Sequence, residues 1–324
     1  MSLRAVPVSA MALAIALLAA DSRHPAPDTV AGPAMRPVAA GTTPTPAAGT
    51  TPTPAATTPT PTGTTPAGAP TAELPPPPPP EPAPALVAGP VNVKVDGFLS
   101  WALLDRAADS VAGSKNLTAT STSESVIKIW LAADFLRRTA EARRQPGESR
   151  LRQARLAIRD SDDGAAQNLY RAGGGNAAVD RMISRCRLTD TDRFDDSWSQ
   201  TRMSARDVAR LGDCVADGTA AGPRWTRWIM TEMTRVRGTT AARDQPSGGR
   251  WGIIDALPAE LREQGVSMKN GWTLRATGQW HVNCLAVTPD RALAVLTRYP
   301  AGKGLAYGAK VCAEVTRQLV SDPG

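Results

Sequence analysis

The chain has 324 residues, with 37 Lys and Arg against 30 Asp and Glu, 29 Pro, four Cys and two His. Its first 90 residues hold 22 of the prolines, only seven charged side chains and no Cys, Phe, Trp or Tyr, which excludes a packed core there. The other 234 carry all eight Trp and 34 basic against 26 acidic side chains, enough for one domain, with too few histidines for a His-rich metal site or a Ser/His/Asp arrangement and no basic runs that would suggest a nucleic-acid partner.

In chain order, Arg4 precedes an apolar run over residues 11–20 that is followed at once by Asp21, the order of a secretory signal peptide spanning residues 1–24. The run is short for a membrane span. Cleavage after Ala20 would leave Leu18 where a small residue is preferred, so an uncleaved N-terminal anchor, the one expected membrane contact, stays open. No cysteine lies near the run, and a lipid-modified cysteine just after it is not expected. Residues 25–90 repeat Thr-Pro and Ala-Pro units and end in six prolines, Pro75 to Pro80, which reads as a disordered linker of polyproline II character. At ~3.1 Å per residue it reaches up to roughly 200 Å, a spacer for work at a distance from a membrane or within a cell wall, unless it is a tolerated low-complexity insert. The expected localisation is exported, extracellular or wall-associated.

Residues 91–324 form the expected domain. Residues 98–105 read as a central strand and 110–115 as its hairpin partner. A long amphipathic helix over 125–144 follows, then shorter ones over 148–159, 164–172, 177–186, 204–216 and 223–236, with Ser204 as an N-cap three residues before Asp207. Strands over 266–275, 279–289 and 292–299 come next, the last two joined by a tight turn at Asp290 and Arg291. A final helix over 304–320 puts Leu305, Ala309, Cys312, Val315 and Leu319 on one face. The order predicts an α/β (α+β) fold, an antiparallel sheet of about five strands built from both chain ends around an inserted helical subdomain, with a site where the two meet. The four cysteines are an even set. Cys186–Cys214 is the favoured pair because both lie on neighbouring helices, and Cys284–Cys312 because it joins a strand to the helix covering it; buried free thiols are the alternative.

The chemistry concentrates in Ser125-Val126-Ile127-Lys128 at the start of the long helix, where residues three apart share a face and first-turn amides are free. A serine there meets an amine to accept its proton and backbone donors to hold an oxyanion, provided that burial or a neighbouring cation lowers the lysine pKa from ~10.4. Alone, this spacing is weak evidence. Ser161-Asp162-Asp163 stands at the turn before a later helix, and Lys269-Asn270-Gly271, holding one of only six lysines, stands on the first late strand.

In this order the three resemble the Ser-x-x-Lys, Ser-Asp-Asn and Lys-Thr-Gly set of the serine β-lactamase and penicillin-binding (D,D-peptidase) superfamily, and the intervals are similar to its class A branch from about residue 98 onward. Trp280-His281-Val282-Asn283 resembles a segment of exported actinobacterial serine hydrolases of this type. The resemblance implies Ser125 as acylated nucleophile, Lys128 as its base, Ser161 as proton relay, Lys269 as the positive charge facing a substrate carboxylate, and the amides of Ser125 and Trp272 as oxyanion hole. It places Asp163, Asn270, Gly271, His281 and Asn283 at the substrate, although a structural role is favoured for His281. It implies wall peptides, small amides or esters, or β-lactams as substrates, no cofactor or metal, and a monomer. Three departures bear on activity. Asp163 and Asn270 replace the usual Asn and Thr, and no Glu occurs between Ser161 and Thr231, where class A enzymes keep the residue that activates the deacylating water. Asp195 and Asp196 lie near that place but are a methylene shorter. Slow deacylation is therefore expected, and an inactive wall-binding or scaffold module is the competing reading.

Overall fold

The structure is a computed structural model that describes residues 83–241 and 248–321. The signal segment and the linker up to residue 82 lie outside the described residues. The strands are β1 (Ala85–Leu86), β2 (Phe98–Asp105), β3 (Ser110–Gly113), β4 (Thr120–Thr122), β5 (Arg202–Ser204), β6 (Ser267–Met268), β7 (Gly271–Leu274), β8 (Gln279–Val287), β9 (Arg291–Pro300) and β10 (Val320–Ser321). The helices are α1 (Lys128–Glu141), α2 (Glu148–Arg159), α3 (Asp163–Ala172), α4 (Asn176–Arg185), α5 (Ala205–Ala216), α6 (Pro223–Thr234), α7 (Ile253–Ala256), α8 (Ala259–Glu263) and α9 (Gly304–Arg317).

The main sheet has the order β3-β2-β9-β8-β6, with β7 also on β8, and its ladders are antiparallel. It is built from both ends of the chain, as expected. The strand anticipated over 266–275 is two: β6 and β7 share the edge of β8, separated by Lys269 and Asn270. The register with β8 runs on across this gap, where the Lys269 amide donates to the Leu285 carbonyl at 3.0 Å, while the Lys269 and Asn270 side chains are fully buried among polar partners. The domain also extends further toward the N-terminus than expected. Ala85 and Leu86, assigned above to the linker, pair with Ser321 and Val320.

Alternation along the central strands sorts their side chains onto two faces. Ala102, Leu104, Leu285, Val287, Ala294 and Leu296 pack against α1–α6. Trp101, Leu103, Cys284, Ala286, Leu293 and Val295 pack against α7 and α9, so the domain has three layers. On α9 the anticipated stripe Leu305, Ala309, Cys312 and Val315 is buried, as is Leu319 beyond its end. Both disulfides form in the expected pairing, Cys186–Cys214 fixing the end of α4 to α5 and Cys284–Cys312 fixing α9 to β8, with Cα separations of 5.5 and 6.4 Å. Helix α1 is buried nearly all round from Lys128 to Arg137, as befits a central helix. Its Ile129, Trp130, Leu131, Ala132, Ala133 and Leu136 are buried, and Trp130 Nε1 donates to the Ala178 carbonyl at 2.7 Å.

Candidate active site

A short 3-10 turn, Glu124–Ile127, leads into α1 and carries Ser125 as its one partly exposed residue. Glu124 holds a left-handed φ of 50°, costly for a residue with a Cβ, so something must compensate. Its buried carboxylate does so: it accepts from Thr122 Oγ1 at 2.5 Å, Thr273 Oγ1 at 2.6 Å and Arg275 at 2.5 and 3.1 Å. These bonds tie the serine turn to β7. The same approach explains Gly271, where a Cβ would stand 2.6 Å from the Ser125 amide nitrogen and 2.9 Å from that of Val126. Only glycine lets the strand pass this close to the nucleophile turn.

Lys128, the first residue of α1, and Lys269 are both 0% exposed. Ser161 joins them. Its Oγ accepts from Lys269 Nζ at 2.8 Å and from Lys128 Nζ at 3.3 Å, and its carbonyl also accepts from Lys128 Nζ. Ser161 likewise carries a left-handed φ, 57°, on the turn between α2 and α3. That turn is pinned by Arg237, which grips the Asp160 carboxylate at 2.5 and 2.7 Å. Lys269 Nζ has a second acceptor in the Asn270 carbonyl at 2.8 Å.

Burial pushes the Lys269 ammonium well below its ordinary pKa, and the charge of Lys128 adds to the shift. Lys128 is also pushed down by burial, opposed by Asp163, whose Oδ1 accepts from Nζ at 2.6 Å. Asp163 thus opposes deprotonation of both lysines, but burial outweighs it. The helix cap is not Asp163 but Asp162, which accepts from the Ala165 amide, leaving the exposed Asp163 to face Lys128.

A cleft of about 440 Å³ opens above this cluster, lined among others by Ser125, Asp163, Gln167, Asp196, Trp198 and Trp272. Trp198 donates to Gln167 Oε1 at 2.9 Å, and its ring centroid lies 5.2 Å from Lys128 Nζ. Of the two aspartates considered for water activation, Asp196 borders the cleft, whereas Asp195 faces Arg193 at 3.2 Å and Asn176 at 3.3 Å.

Three residues expected at the substrate lie elsewhere. Asn270 is buried, its amide donating to the Gly249 and Trp251 carbonyls at 2.8 and 2.7 Å. Asn283 donates to the Thr122 and Ser123 carbonyls at 2.7 and 3.2 Å, and His281 Nδ1 bonds Thr122 Oγ1 at 2.6 Å. They do share one side of β8, but they brace the segment leading to Ser125. Burial lowers the His281 pKa to about 4, so its ring is neutral near pH 7. Sequence reasoning missed Glu124, Trp198, Thr273 and Arg275. A carboxylate beside the serine was the available signal for Glu124, but its partners are about 150 residues away in the chain.

A beta lactamase from Burkholderia vietnamiensis is 18% identical to the chain with a TM-score of 0.53, the match covering 68% of this chain and 89% of that one. One from Sphaerobacter thermophilus gives 16% and 0.52, over 68% and 90%. A single-site mutant of the class A β-lactamase of the last common ancestor of Gram-negative bacteria gives 18% and 0.52, over 68% and 91%. The domain has the class A β-lactamase fold. No protein-family model matches the chain. Among curated proteins, "Putative lipoprotein LppW" of Mycobacterium tuberculosis, and likewise of Mycobacterium bovis, is 30% identical over 195 residues. The match covers 60% of this chain, and the chain spans about 60% of the length of these relatives. Within the class A fold, Lys128, Ser161 and Lys269 meet where the helical layer and the β7 edge come together, and Ser125 lines the adjoining cleft with Asp163.

Proposed function

We propose that the protein is an exported acyl-serine hydrolase in which Ser125 is the nucleophile and deacylation is slow. The observation that carries this reading is the single hydroxyl of Ser161 bridging two buried lysine ammoniums beneath a cleft that holds Ser125. Desolvation lowers the pKa of both lysines, which is what a general base at neutral pH requires. Neutral Lys128 takes the Ser125 proton as its Oγ attacks the acyl carbon. Ser161, fed by Lys269, passes a proton to the departing nitrogen. The amides of Ser125 and Trp272 receive the oxyanion, the close passage of Gly271 setting their spacing. The substrate is a wall peptide, a related amide or ester, or a β-lactam. The solved structures of this fold that are titled β-lactamases support the acyl class.

Slow deacylation rests on the cleft's acidic groups. Glu124 is saturated by four donors, Asp163 is held by Lys128, and Asp196 is left as a short, exposed carboxylate. Export is supported by the two disulfides and by relatives described as lipoproteins. Cleavage or retention of the N-terminal segment, the spacer role of residues 25–82 and a monomeric state belong to the same proposal.

The competing binding module draws on one observation: Lys128 is occupied by Asp163 as well as Ser161. Intact mass of the purified protein after incubation with a penicillin tests both. A persistent adduct that is absent in Ser125→Ala supports the hydrolase. No adduct after long exposure favours the module, and ordinary class A turnover removes the claim of slow deacylation.

A further inference from the structure

Helices α2 and α6 enclose a second groove of about 570 Å³, away from the cleft. Arg155 and Arg159 line it from α2, Arg224 and Arg227 from α6, and Arg235 from the cap that ends α6. All five cations are arginines, and the lining holds one acid, Glu232. Glu232 is 2% exposed, pairs with Arg159 and stands 3.7 Å from Arg155, so it fixes the floor while the rim keeps a net positive charge. Arg224 to Arg235 spans eleven residues of the α6 face, about 16 Å at 1.5 Å per residue, matching an extended chain rather than a single ion.

We propose that this groove binds a flexible phosphate-bearing polymer of the polyol-phosphate class. Guanidinium groups present planar donor forks that suit phosphate oxygens, and forks on two facing walls can grip successive phosphates of one strand. A flat membrane surface suits the groove less well. Its one aromatic lining residue, Trp228, is half-buried against the helical core, and the large exposed apolar side chains among the described residues, Val87, Phe194 and Leu274, lie outside the groove. The two helices run the same way: Arg224 at the start of α6 bonds Gln145 before α2, and Arg159 at the end of α2 bonds Glu232 near the end of α6. The exit of the groove is thus Arg159, two residues from Ser161. A bound polymer would hold the domain on an anionic matrix beside its reacting groups, a property independent of whether Ser125 is acylated.

The test is binding of the purified full-length protein to fluorescent poly(glycerol phosphate), with phosphatidylglycerol vesicles and a single-stranded oligonucleotide as alternatives. Arg224→Glu with Arg227→Glu should weaken polymer binding at least ~10-fold while leaving penicillin adduct formation and melting unchanged. The control, Arg187→Glu with Arg210→Glu in the cavity beside Cys186, carries the same change in net charge and should stay within about twofold of wild type. Binding should fall steeply as salt is raised. Equal losses in both variants, tighter binding to vesicles or oligonucleotide than to polymer, or no polymer binding at low salt would each overturn the proposal.

Discussion

The cleft and the α2–α6 groove both depend on basic side chains, yet they hold them in opposite ways. Lys128 and Lys269 are sealed beneath the cleft, and each ammonium is counted out to specific acceptors. Four of the five groove arginines are exposed, with one buried carboxylate among them. Desolvation moves a lysine toward neutrality and makes it a proton acceptor, whereas exposure keeps an arginine as a permanent charge. Burial yields chemistry, and exposure yields recognition.

Removing a buried cation should have the largest effect. Lys128→Met should slow acylation of Ser125 by on the order of 10³-fold in stopped-flow measurements with a chromogenic β-lactam, the range for loss of a general base. A loss under tenfold would show that Lys128 is structural. Next, Gly271→Ala forces a Cβ against the Ser125 amide and should cost about 10²-fold in acylation, because misplacement by about an ångström disrupts the oxyanion donors. The same change at Gly302, where no atom lies within 4 Å of a Cβ and φ is not left-handed, is the contrast, and adduct formation there should be unchanged. Asp163→Asn removes the carboxylate that opposes deprotonation of Lys128. Acylation should then quicken by roughly tenfold near neutral pH, the acidic limb of the pH profile moving to lower pH and the two profiles converging at alkaline pH. Superimposable profiles would take Asp163 out of the mechanism.

The smallest effect concerns a neutral ring. The folded-state pKa of His281, about 4, lies below the ordinary 6.5, so the unfolded chain binds the proton more readily. Its contribution is intact above pH 6.5 and is lost as pH falls toward 4, at a cost on the order of 1–3 kcal/mol. Melting of His281→Gln should therefore lose less stability than wild type over that window. Parallel curves would show that other groups govern acid unfolding.

Much of this was legible in the chain. Residues 148–159 form a helix with the anticipated ends, Ser204 caps α5 by accepting from the Asp207 amide, and the central strand runs from Phe98 to Asp105. Each is set by local periodicity or capping. That Lys128, Ser161 and Lys269 come together was legible too, because order along the chain carries them. What escaped depends on distant partners. Asn270 turns inward because the carbonyls of Gly249 and Trp251 wait there, and Glu124 gains meaning only from Thr273 and Arg275. The arginine groove escaped as well, since α2 and α6 supply it from segments separated by more than sixty residues.

The pairing of Ala85 and Leu86 with the last described strand has a mechanical consequence. The ladder is short, two residue pairs continued by the Val87 amide donating to the Leu319 carbonyl, and lies beside the β8–β9 turn, where Arg291 donates to the Leu86 carbonyl. The Ser125 turn packs against the middle of β8, near Asn283. A load applied to the chain at Ala83 meets this short ladder first. The six-stranded sheet and the disulfide from β8 to α9 lie behind it, so such a fuse would yield before strain reached the cleft.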